Sequence, residues 1–149
     1  MKTANPYLNF PGNTEEAFTF YKSVFGGEFL DVIRFRDFGD NPMGVPDNEL
    51  DRIAHISLPV GPGNVLMGTD VLASWQPLNV GNNVSITLEA ETDEEAATLF
   101  DGLSAGGRSK MPLQRTQWAE KYGECADQFG IQWIVMYTGN VEFSLGKAG

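Results

Sequence analysis

The chain contains two copies of one helix motif, separated by 79 positions. Residues 13–27 begin Asn-Thr-Glu-Glu-Ala, and residues 92–106 begin Thr-Asp-Glu-Glu-Ala. The two segments align without a gap, and both repeat apolar residues at the spacing of an amphipathic helix. A repeat shifted by about half of the chain indicates a duplicated module, so we expect the functional site to lie between the two halves.

Each copy carries a helix start signal. Asn13 precedes Glu16 by three residues, and Thr92 precedes Glu95 by the same distance. This is the spacing of a capping box, in which the first side chain accepts a hydrogen bond from a free backbone N–H and the glutamate reaches back to the cap residue. We predict a capping box at both helix starts, and this role explains the glutamates without catalysis.

The segments around each helix have the alternation or the β-branched content of strands. The Gly-Pro-Gly-Asn segment at 61–64 is typical of a tight turn between two of them. Each copy therefore has the predicted order strand–helix–strand–strand–strand. The predicted strands are 7–10, 28–36, 52–59 and 65–68 in the first copy, and 84–89, 110–116, 122–126 and 131–137 in the second.

These elements predict an α+β fold with one domain over residues 1–149. The domain divides into two modules, a linker with proline and glycine, and a poorly ordered tail. The predicted bounds are 1–70 for the first βαβββ module, 71–83 for the linker, 84–138 for the second βαβββ module and 139–149 for the tail.

Composition excludes several classes of protein. The net charge of −10 disfavours nucleic-acid binding, which depends on neutralising phosphates. The single cysteine, Cys125, allows no intramolecular disulfide and fits a reducing compartment. No apolar run reaches the length of a signal peptide or a membrane helix. We expect a cytoplasmic protein whose partners include neither nucleic acid nor membrane.

Five spaced motifs resemble the PhnB-like branch of the vicinal oxygen chelate superfamily, which includes glyoxalase I, bleomycin-resistance proteins and extradiol dioxygenases. The resemblance covers residues 5–137 and implies a curved, half-open mixed β-sheet barrel with the two helices packed outside. It also implies a ligand pocket between the modules and a homodimer, with the modules paired within one chain or swapped between two. The motifs are 6–10, 16–28, 54–58, 66–70 and 127–133.

That branch is often labelled demethylubiquinone methyltransferase-like. Methyl transfer from a nucleotide cofactor usually involves a glycine-rich loop between a strand and a helix. The nearest candidate, the Gly-Pro-Gly segment at 61–63, lies in a predicted hairpin turn with no helix after it. We therefore predict no cofactor.

The resemblance also implies where metal-using relatives hold their ion. Their ligands occupy four strand positions, which map onto Pro6, Met67, Ser85 and Ile134. A catalytic divalent ion needs imidazole, carboxylate or similar donors, which these residues do not supply. His55, the single histidine, lies on a different predicted strand. We predict that there is no catalytic metal.

Two residues are candidates for chemistry. Histidine in general titrates near neutrality, so His55 is a weak candidate for a general base, although a hydrogen-bonded structural histidine is the simpler interpretation. A nucleophilic role for Cys125 would need an activating base or a helix N-terminus, and the sequence indicates neither. A small buried apolar residue is the better interpretation of Cys125.

Aromatic residues are candidates for lining a pocket for a flat or apolar ligand. Tyr7, Trp75, Trp118, Phe129 and Trp133 belong to this group, and Trp133 also fits an ordinary core position. Asp127 and Asp70 precede turns, where aspartate commonly bonds its own backbone. The predicted ligand-binding residues are His55, Ser57, Met67, Asp70, Ser85, Trp118 and Trp133.

Two functions follow from these residues. The preferred hypothesis is a metal-free protein that binds a small apolar or aromatic molecule, because no residue set completes a catalytic constellation. The alternative is an enzyme of unknown reaction that uses His55 with a polar residue, either Ser57 or Ser85, for acid–base and orienting roles. A shared fold alone does not choose between them.

Overall fold

The computed structural model describes residues 1–142. The chain forms two compact units, the first comprising Met1–Asn79 and the second beginning at Val80. Each unit has one α-helix of 12 residues and one mixed four-stranded sheet, which confirms the predicted α+β class. The predicted disordered tail falls partly at 143–149, outside the described residues. Neither α-helix within residues 1–142 has the length and apolar character needed to cross a bilayer.

The first unit has the predicted order of elements. Its sheet has the order β1-β4-β3-β2, in which β1 runs parallel to β4 and the other neighbours are antiparallel. Two short 3₁₀ helices interrupt the loop before β3. The bounds are β1 Tyr7–Phe10, α1 Thr14–Phe25, β2 Asp31–Arg34, the 3₁₀ helices Phe35–Phe38 and Asp47–Glu49, β3 Ile53–Pro59 and β4 Val65–Asp70.

The second strand is shorter than the predicted 28–36. Its pairing with β3 shifts register between Ile33 and Arg34. The backbone N–H of Arg34 donates to the Asp37 carboxylate at 2.8 Å. That bond leads the chain out of the sheet and into the 3₁₀ helix, because it takes the N–H that would otherwise continue the ladder.

The second unit repeats the topology of the first. Its sheet has the order β5-β8-β7-β6, with β5 parallel to β8. All four predicted strands are present, although β5 begins two residues later than expected. The bounds are β5 Ile86–Glu89, α2 Asp93–Ser104, β6 Arg108–Gln114, β7 Lys121–Ala126 and β8 Gln132–Tyr137.

The second helix start agrees in part with its predicted capping box. The Thr92 hydroxyl accepts a hydrogen bond from the backbone N–H of Glu95 at 3.0 Å. The Glu95 carboxylate in turn reaches the N–H of Glu91 at 2.8 Å, one residue before the position that the box predicts. Both bonds use N–H groups near a helix start, where the helix itself supplies no acceptor.

The capping box predicted at Asn13 is wrong. The Asn13 side chain makes no capping hydrogen bond, and its Oδ1 is buried without a partner within residues 1–142. The acceptor comes instead from the end of β4, where Asp70 Oδ1 takes the backbone N–H of Thr14 at 3.0 Å. The helix start is thus capped by a tertiary contact that local spacing does not reveal.

Asp70 joins three elements of the first unit. Besides the Thr14 N–H, its Oδ1 accepts the Thr14 hydroxyl at 2.6 Å, and its Oδ2 accepts the backbone N–H of Ile53 at 2.8 Å. The residue is 1% exposed. A buried carboxylate is costly unless it is fully hydrogen-bonded, and these three bonds meet that requirement while fixing α1 and β3 to β4.

The two copies differ by one residue between strand and helix. The helices begin at Thr14 and Asp93, 79 positions apart, as the repeat predicts. The buried residue Phe10 ends β1, and the buried residue Ala90, 80 positions later, directly follows β5. The ungapped alignment therefore holds for the helix motif and not for the strand before it.

Each helix packs on one side of its sheet at a glycine. A Cβ on Gly68 would lie 2.6 Å from Cε1 of Phe18, and one on Gly123 would lie 2.9 Å from Cε2 of Phe100. Side chains alternate between the two sides of a strand. Residues next to these glycines therefore project from the opposite side of each sheet, which we call the far face.

Replacing Asp70 with alanine should lower the free energy of unfolding by about 3 kcal/mol, because it leaves buried N–H and hydroxyl donors without acceptors. Urea denaturation followed by circular dichroism measures this loss. Asp40→Ala, at an exposed carboxylate in the loop after β2, is the matched control and should change stability by less than about 0.5 kcal/mol. Equal effects of the two substitutions would contradict the structural role of Asp70.

Candidate functional site

The far face of the first sheet gathers three of the predicted ligand-binding residues. Met67 on β4 lies beside Tyr7 on β1 and Ser57 on β3. His55 is two residues before Ser57 and contacts the Tyr7 ring, with ring centroids 5.7 Å apart. His55, Ser57 and Met67 therefore share one surface, as the ligand-site prediction requires.

A small hydrogen-bonded cluster forms on this face. The hydroxyl of Tyr7 lies 3.2 Å from Nδ1 of His55 and donates to that nitrogen when the nitrogen carries no proton. The Thr69 hydroxyl donates to the Ala54 carbonyl oxygen at 2.9 Å, which fixes it at the same end of the sheet. We call Tyr7, His55 and Thr69 the far-face cluster.

The phenol of Tyr7 is set up to donate a proton in hydrogen bonds. Burial raises the pKa of Tyr7 above its ordinary value, and the side-chain interaction with Thr69 acts in the opposite direction. The phenol, which is protonated at neutral pH even at its ordinary pKa, is therefore protonated here. It offers an O–H to His55 or to a molecule bound in its place.

The cluster lacks the third member of an acid–base relay. Within residues 1–142, no carboxylate forms a hydrogen bond or ion pair with His55. The Ser57 hydroxyl is engaged elsewhere, since it donates to Asp31 at 3.2 Å. A histidine base in an enzyme is usually oriented by such a carboxylate or an equivalent acceptor. The arrangement fits a binding surface better than a proton relay.

A cleft opens at one end of the far face. Asn9, the partner of Thr69 in the β1–β4 pairing, forms one wall. The chain after β4 forms the rest, within the segment predicted as a linker. The cleft has a volume of about 380 Å³ and is lined by Asn9, Val71, Trp75, Gln76, Pro77, Leu78 and Asn79.

The structure shows where the residues mapped to metal-ligand positions lie relative to the strands. The first-strand residue beside Met67 is Tyr7, and Pro6 precedes β1. In the second unit, the residue beside Ile134 is Thr87, whereas Ser85 is exposed before β5 begins. Pro6 and Ser85 thus both lie just before the strands on which the ligands are expected.

The residues that pair with Met67 and Ile134 across the sheets fit a metal no better than Pro6 and Ser85 do. Tyr7, Met67, Thr87 and Ile134 supply a phenol, a thioether, a hydroxyl and an alkyl group, which do not make a catalytic divalent site. Within residues 1–142, no three His, Cys, Asp or Glu side chains come close enough together to hold an ion.

The remaining predicted site residues lie elsewhere. Asp70 is buried on the helix side of the first sheet, where all of its bonds are structural. Trp133 is 1% exposed in the second unit and donates its indole N–H to Asp127 at 2.8 Å. Trp118 packs edge-to-face on Tyr122, with centroids 5.2 Å apart. The ligand roles predicted for these three residues stay predictions.

Asp127 has the structural role that the sequence indicates. Its Oδ1 accepts the backbone N–H groups of Phe129 and Ile131 at 2.8 and 3.1 Å, which closes the turn before β8. Cys125 is buried beside it, and burial raises the pKa of the thiol to about 11. A thiol that stays protonated at neutral pH is a poor nucleophile.

Sequence reasoning missed two polar residues of the far face, Asn9 and Thr69. Strict alternation along β1 and β4 was the available signal, since it places both residues on the side of Tyr7 and Met67. It also missed that the predicted linker packs against the first unit. Leu72 is buried there with Phe35, which an apolar residue in a supposed linker could have indicated.

A family model and a curated relative both match most of the chain. The model of the family described as 3-demethylubiquinone-9 3-methyltransferase matches residues 2–136. Protein YjdN from Escherichia coli strain K12 is 31% identical over an alignment 141 residues long, and the match covers 88% of this chain and 92% of that protein.

Several solved structures are also similar to this chain over most of its length. Protein PA1353 from Pseudomonas aeruginosa is 36% identical with a TM-score of 0.79, over 91% of this chain and 96% of that one. The PhnB protein from Bacillus cereus is 26% identical with a TM-score of 0.73, over 91% and 98%. A glyoxylase/bleomycin resistance protein/dioxygenase domain from Frankia sp. EAN1pec, at 12% identity, has a TM-score of 0.66 over 93% and 98% and shares the fold.

The Cys125 thiol should react with Ellman's reagent at pH 8 about 100-fold more slowly in the native protein than in urea, because it is buried and protonated. The free energy of unfolding should also fall as the pH rises from 9 to about 11, since the unfolded chain, with its ordinary pKa of 9.0, ionises first. The Cys125→Ala variant lacks this part of the fall. Rapid labelling of the native thiol would contradict its assignment as a core residue.

Proposed function

The chain belongs to the PhnB-like family, and we propose that it binds a small apolar or aromatic molecule without a catalytic metal. The family is described as 3-demethylubiquinone-9 3-methyltransferase and lies within the glyoxalase/bleomycin-resistance/dioxygenase superfamily. The ligand lies on the far face of the first sheet. The observation that carries the proposal is the far-face cluster beside Met67. A few hydrogen-bonding groups next to an apolar wall are typical of a small-molecule site.

Each residue of this surface has a role in the proposal. Met67 supplies a flexible, polarisable side chain that adapts to an apolar ligand. The Tyr7 ring adds flat apolar area, and its O–H donates to a polar atom of the ligand. His55 holds the phenol in place through the 3.2 Å contact. This division of tasks needs no proton transfer and no bound ion.

The activity in the family's description finds little support in these residues. The Gly-Pro-Gly segment at 61–63 lies in the turn between β3 and β4, which the Val60 N–H closes by donating to the Asn64 carbonyl at 3.0 Å. β4 follows it directly, so it does not form a phosphate-binding loop at a helix start. The homodimer and the cytoplasmic location remain predictions from the sequence.

One observation favours the alternative, an enzyme that uses His55 as acid or base. The Tyr7 hydroxyl at Nδ1 fixes the imidazole in one orientation, as orienting groups do in catalytic sites. A phenol orients an imidazole without stabilising its positive charge as a carboxylate does. This is why we favour binding over catalysis.

Binding is tested with N-phenyl-1-naphthylamine, an uncharged, non-planar aromatic probe that fluoresces in apolar surroundings. Met67→Asp should raise its dissociation constant at least about tenfold, because it places a charge in the apolar wall. Met43→Asp is the matched control, at a methionine that is 44% exposed in the loop before β3, and it should leave the affinity unchanged. Equal affinity in both variants would contradict the proposed site.

His55→Ala separates the two functions. We expect ligands found in a screen to bind this variant no more than about tenfold more weakly, because only the hydrogen bond that holds the phenol is lost, and to be recovered unchanged from the native protein by mass spectrometry. Conversion of a ligand by the native protein, with binding kept and conversion lost in His55→Ala, would establish the enzyme instead.

Removal and reloading of metal ions test the proposal that the protein needs no metal. Dialysis against a chelator should leave probe affinity unchanged, and reloading with Zn, Ni, Mn or Fe should give less than one tightly bound ion per chain, because the expected positions offer no suitable donors. Stoichiometric uptake of any of these ions together with turnover would refute the proposal.

A further inference from the structure

The cleft beyond the far-face cluster has the size of a small-molecule site. Its volume of about 380 Å³ falls within the range of roughly 300–1,000 Å³ that ligand pockets occupy. All of its lining residues belong to the first unit, and Asn9 connects it to the end of the far face through its pairing with Thr69. The cleft does not include Tyr7, His55 or Met67.

Trp75 forms a flat wall of the cleft and packs against buried residues. The indole is 45% exposed, yet it packs edge-to-face on Phe35, with centroids 5.8 Å apart and an interplanar angle of 83°. The Trp75 backbone N–H donates to the Leu72 carbonyl at 3.0 Å. Phe35 and Leu72 are themselves buried in one small apolar cluster. The indole is therefore packed on its Phe35 side and remains partly exposed to solvent.

Three side-chain amides surround this wall. Within residues 1–142, the amides of Asn9, Gln76 and Asn79 make no hydrogen bond to other protein groups, so each has donors and an acceptor available. No charged side chain lines the cleft. A charged ligand would find no counter-ion there, and the net charge of −10 adds repulsion for an anion.

We propose that this cleft binds an uncharged, planar heteroaromatic molecule. The ring stacks on the exposed face of Trp75, and its polar edge exchanges hydrogen bonds with the amides of Asn9, Gln76 and Asn79. A flat ring can stack on the face of an indole, and an edge with one donor and one acceptor can form two hydrogen bonds with a side-chain amide. The site goes beyond the proposed function, because it uses neither the far-face cluster nor Met67.

Quinazolin-4(3H)-one is the probe for this site, since it is bicyclic, uncharged and carries a donor and an acceptor on one edge. In a ¹H–¹⁵N spectrum of the full chain, the probe should shift the indole N–H signal of Trp75 and leave that of buried Trp133 in place. A fragment of this size should bind at about millimolar concentration or tighter. Trp75→Phe assigns the signal.

Substitutions test the flat wall. Trp75→Leu keeps an apolar side chain but removes the ring, and it should weaken binding at least about fivefold, whereas Trp75→Phe should retain most of it. Phe38→Leu is the matched control, at another exposed aromatic of the same unit outside the cleft. Undiminished binding in a folded Trp75→Leu variant, or an equal loss in Phe38→Leu, would overturn the proposal.

Changes in the probe test the polar edge and the absence of charge. Naphthalene, 2-naphthoate and N-methylquinolinium should each bind at least about fivefold more weakly than quinazolin-4(3H)-one, since the first lacks a polar edge and the other two are charged. Asn79→Leu should weaken the quinazolinone and not naphthalene, and Asn48→Leu, at an exposed amide outside the cleft, should change neither. If 2-naphthoate or N-methylquinolinium bound most tightly of the four probes, the proposal of an uncharged ligand would be refuted.

Measuring the binding of both probes to each variant distinguishes the two sites. Met67→Asp should lose N-phenyl-1-naphthylamine and keep quinazolin-4(3H)-one, and Trp75→Leu should do the reverse. Loss of both probes in either folded variant would show one shared site and would overturn the separate cleft. Binding of quinazolin-4(3H)-one without any binding of the naphthylamine would support the cleft while refuting the far-face function.

Discussion

The buried carboxylate of Asp70 is the interaction on which the first unit depends. It ends β4 and accepts hydrogen bonds from the first residue of α1 and the first residue of β3. A charge in the interior demands such partners, so the helix start and the strand start must both come to it. Once α1 is held against the sheet in this way, Phe18 packs over Gly68 and the two sides of the sheet acquire different surroundings.

That division of the sheet sets what the first unit offers a ligand. The helix side is closed by α1 and has its hydrogen-bonding groups paired around Asp70, whereas the far face carries Tyr7, His55 and Thr69 beside Met67. The phenol is protonated at neutral pH, and burial raises its pKa further. A surface of this kind recognises shape and a few hydrogen bonds, which suits binding more directly than proton transfer. The residues at the positions expected for metal ligands lack donors for a catalytic ion, which also favours metal-free binding.

Local patterns predicted the elements well and their ends less well. Alternation and turn residues located every strand, because both are properties of neighbouring residues. Errors arose where a distant group decided the outcome. Asp37 takes the Arg34 N–H and shortens β2, and Asp70 replaces the predicted cap at Asn13. Pro6 and Ser85, which were expected on strands, likewise lie just before β1 and β5.

The sequence by itself determined the duplicated βαβββ order, the α+β class and the family, since these depend on periodicity, turn chemistry and spaced motifs. It also marked His55, Ser57 and Met67 as candidates. Only the tertiary structure showed that these three share a face with Tyr7 and Thr69, and that Trp75 and three amides form a cleft. Strand register and the packing of the segment after β4 decide such neighbours, because both bring together residues far apart in the chain.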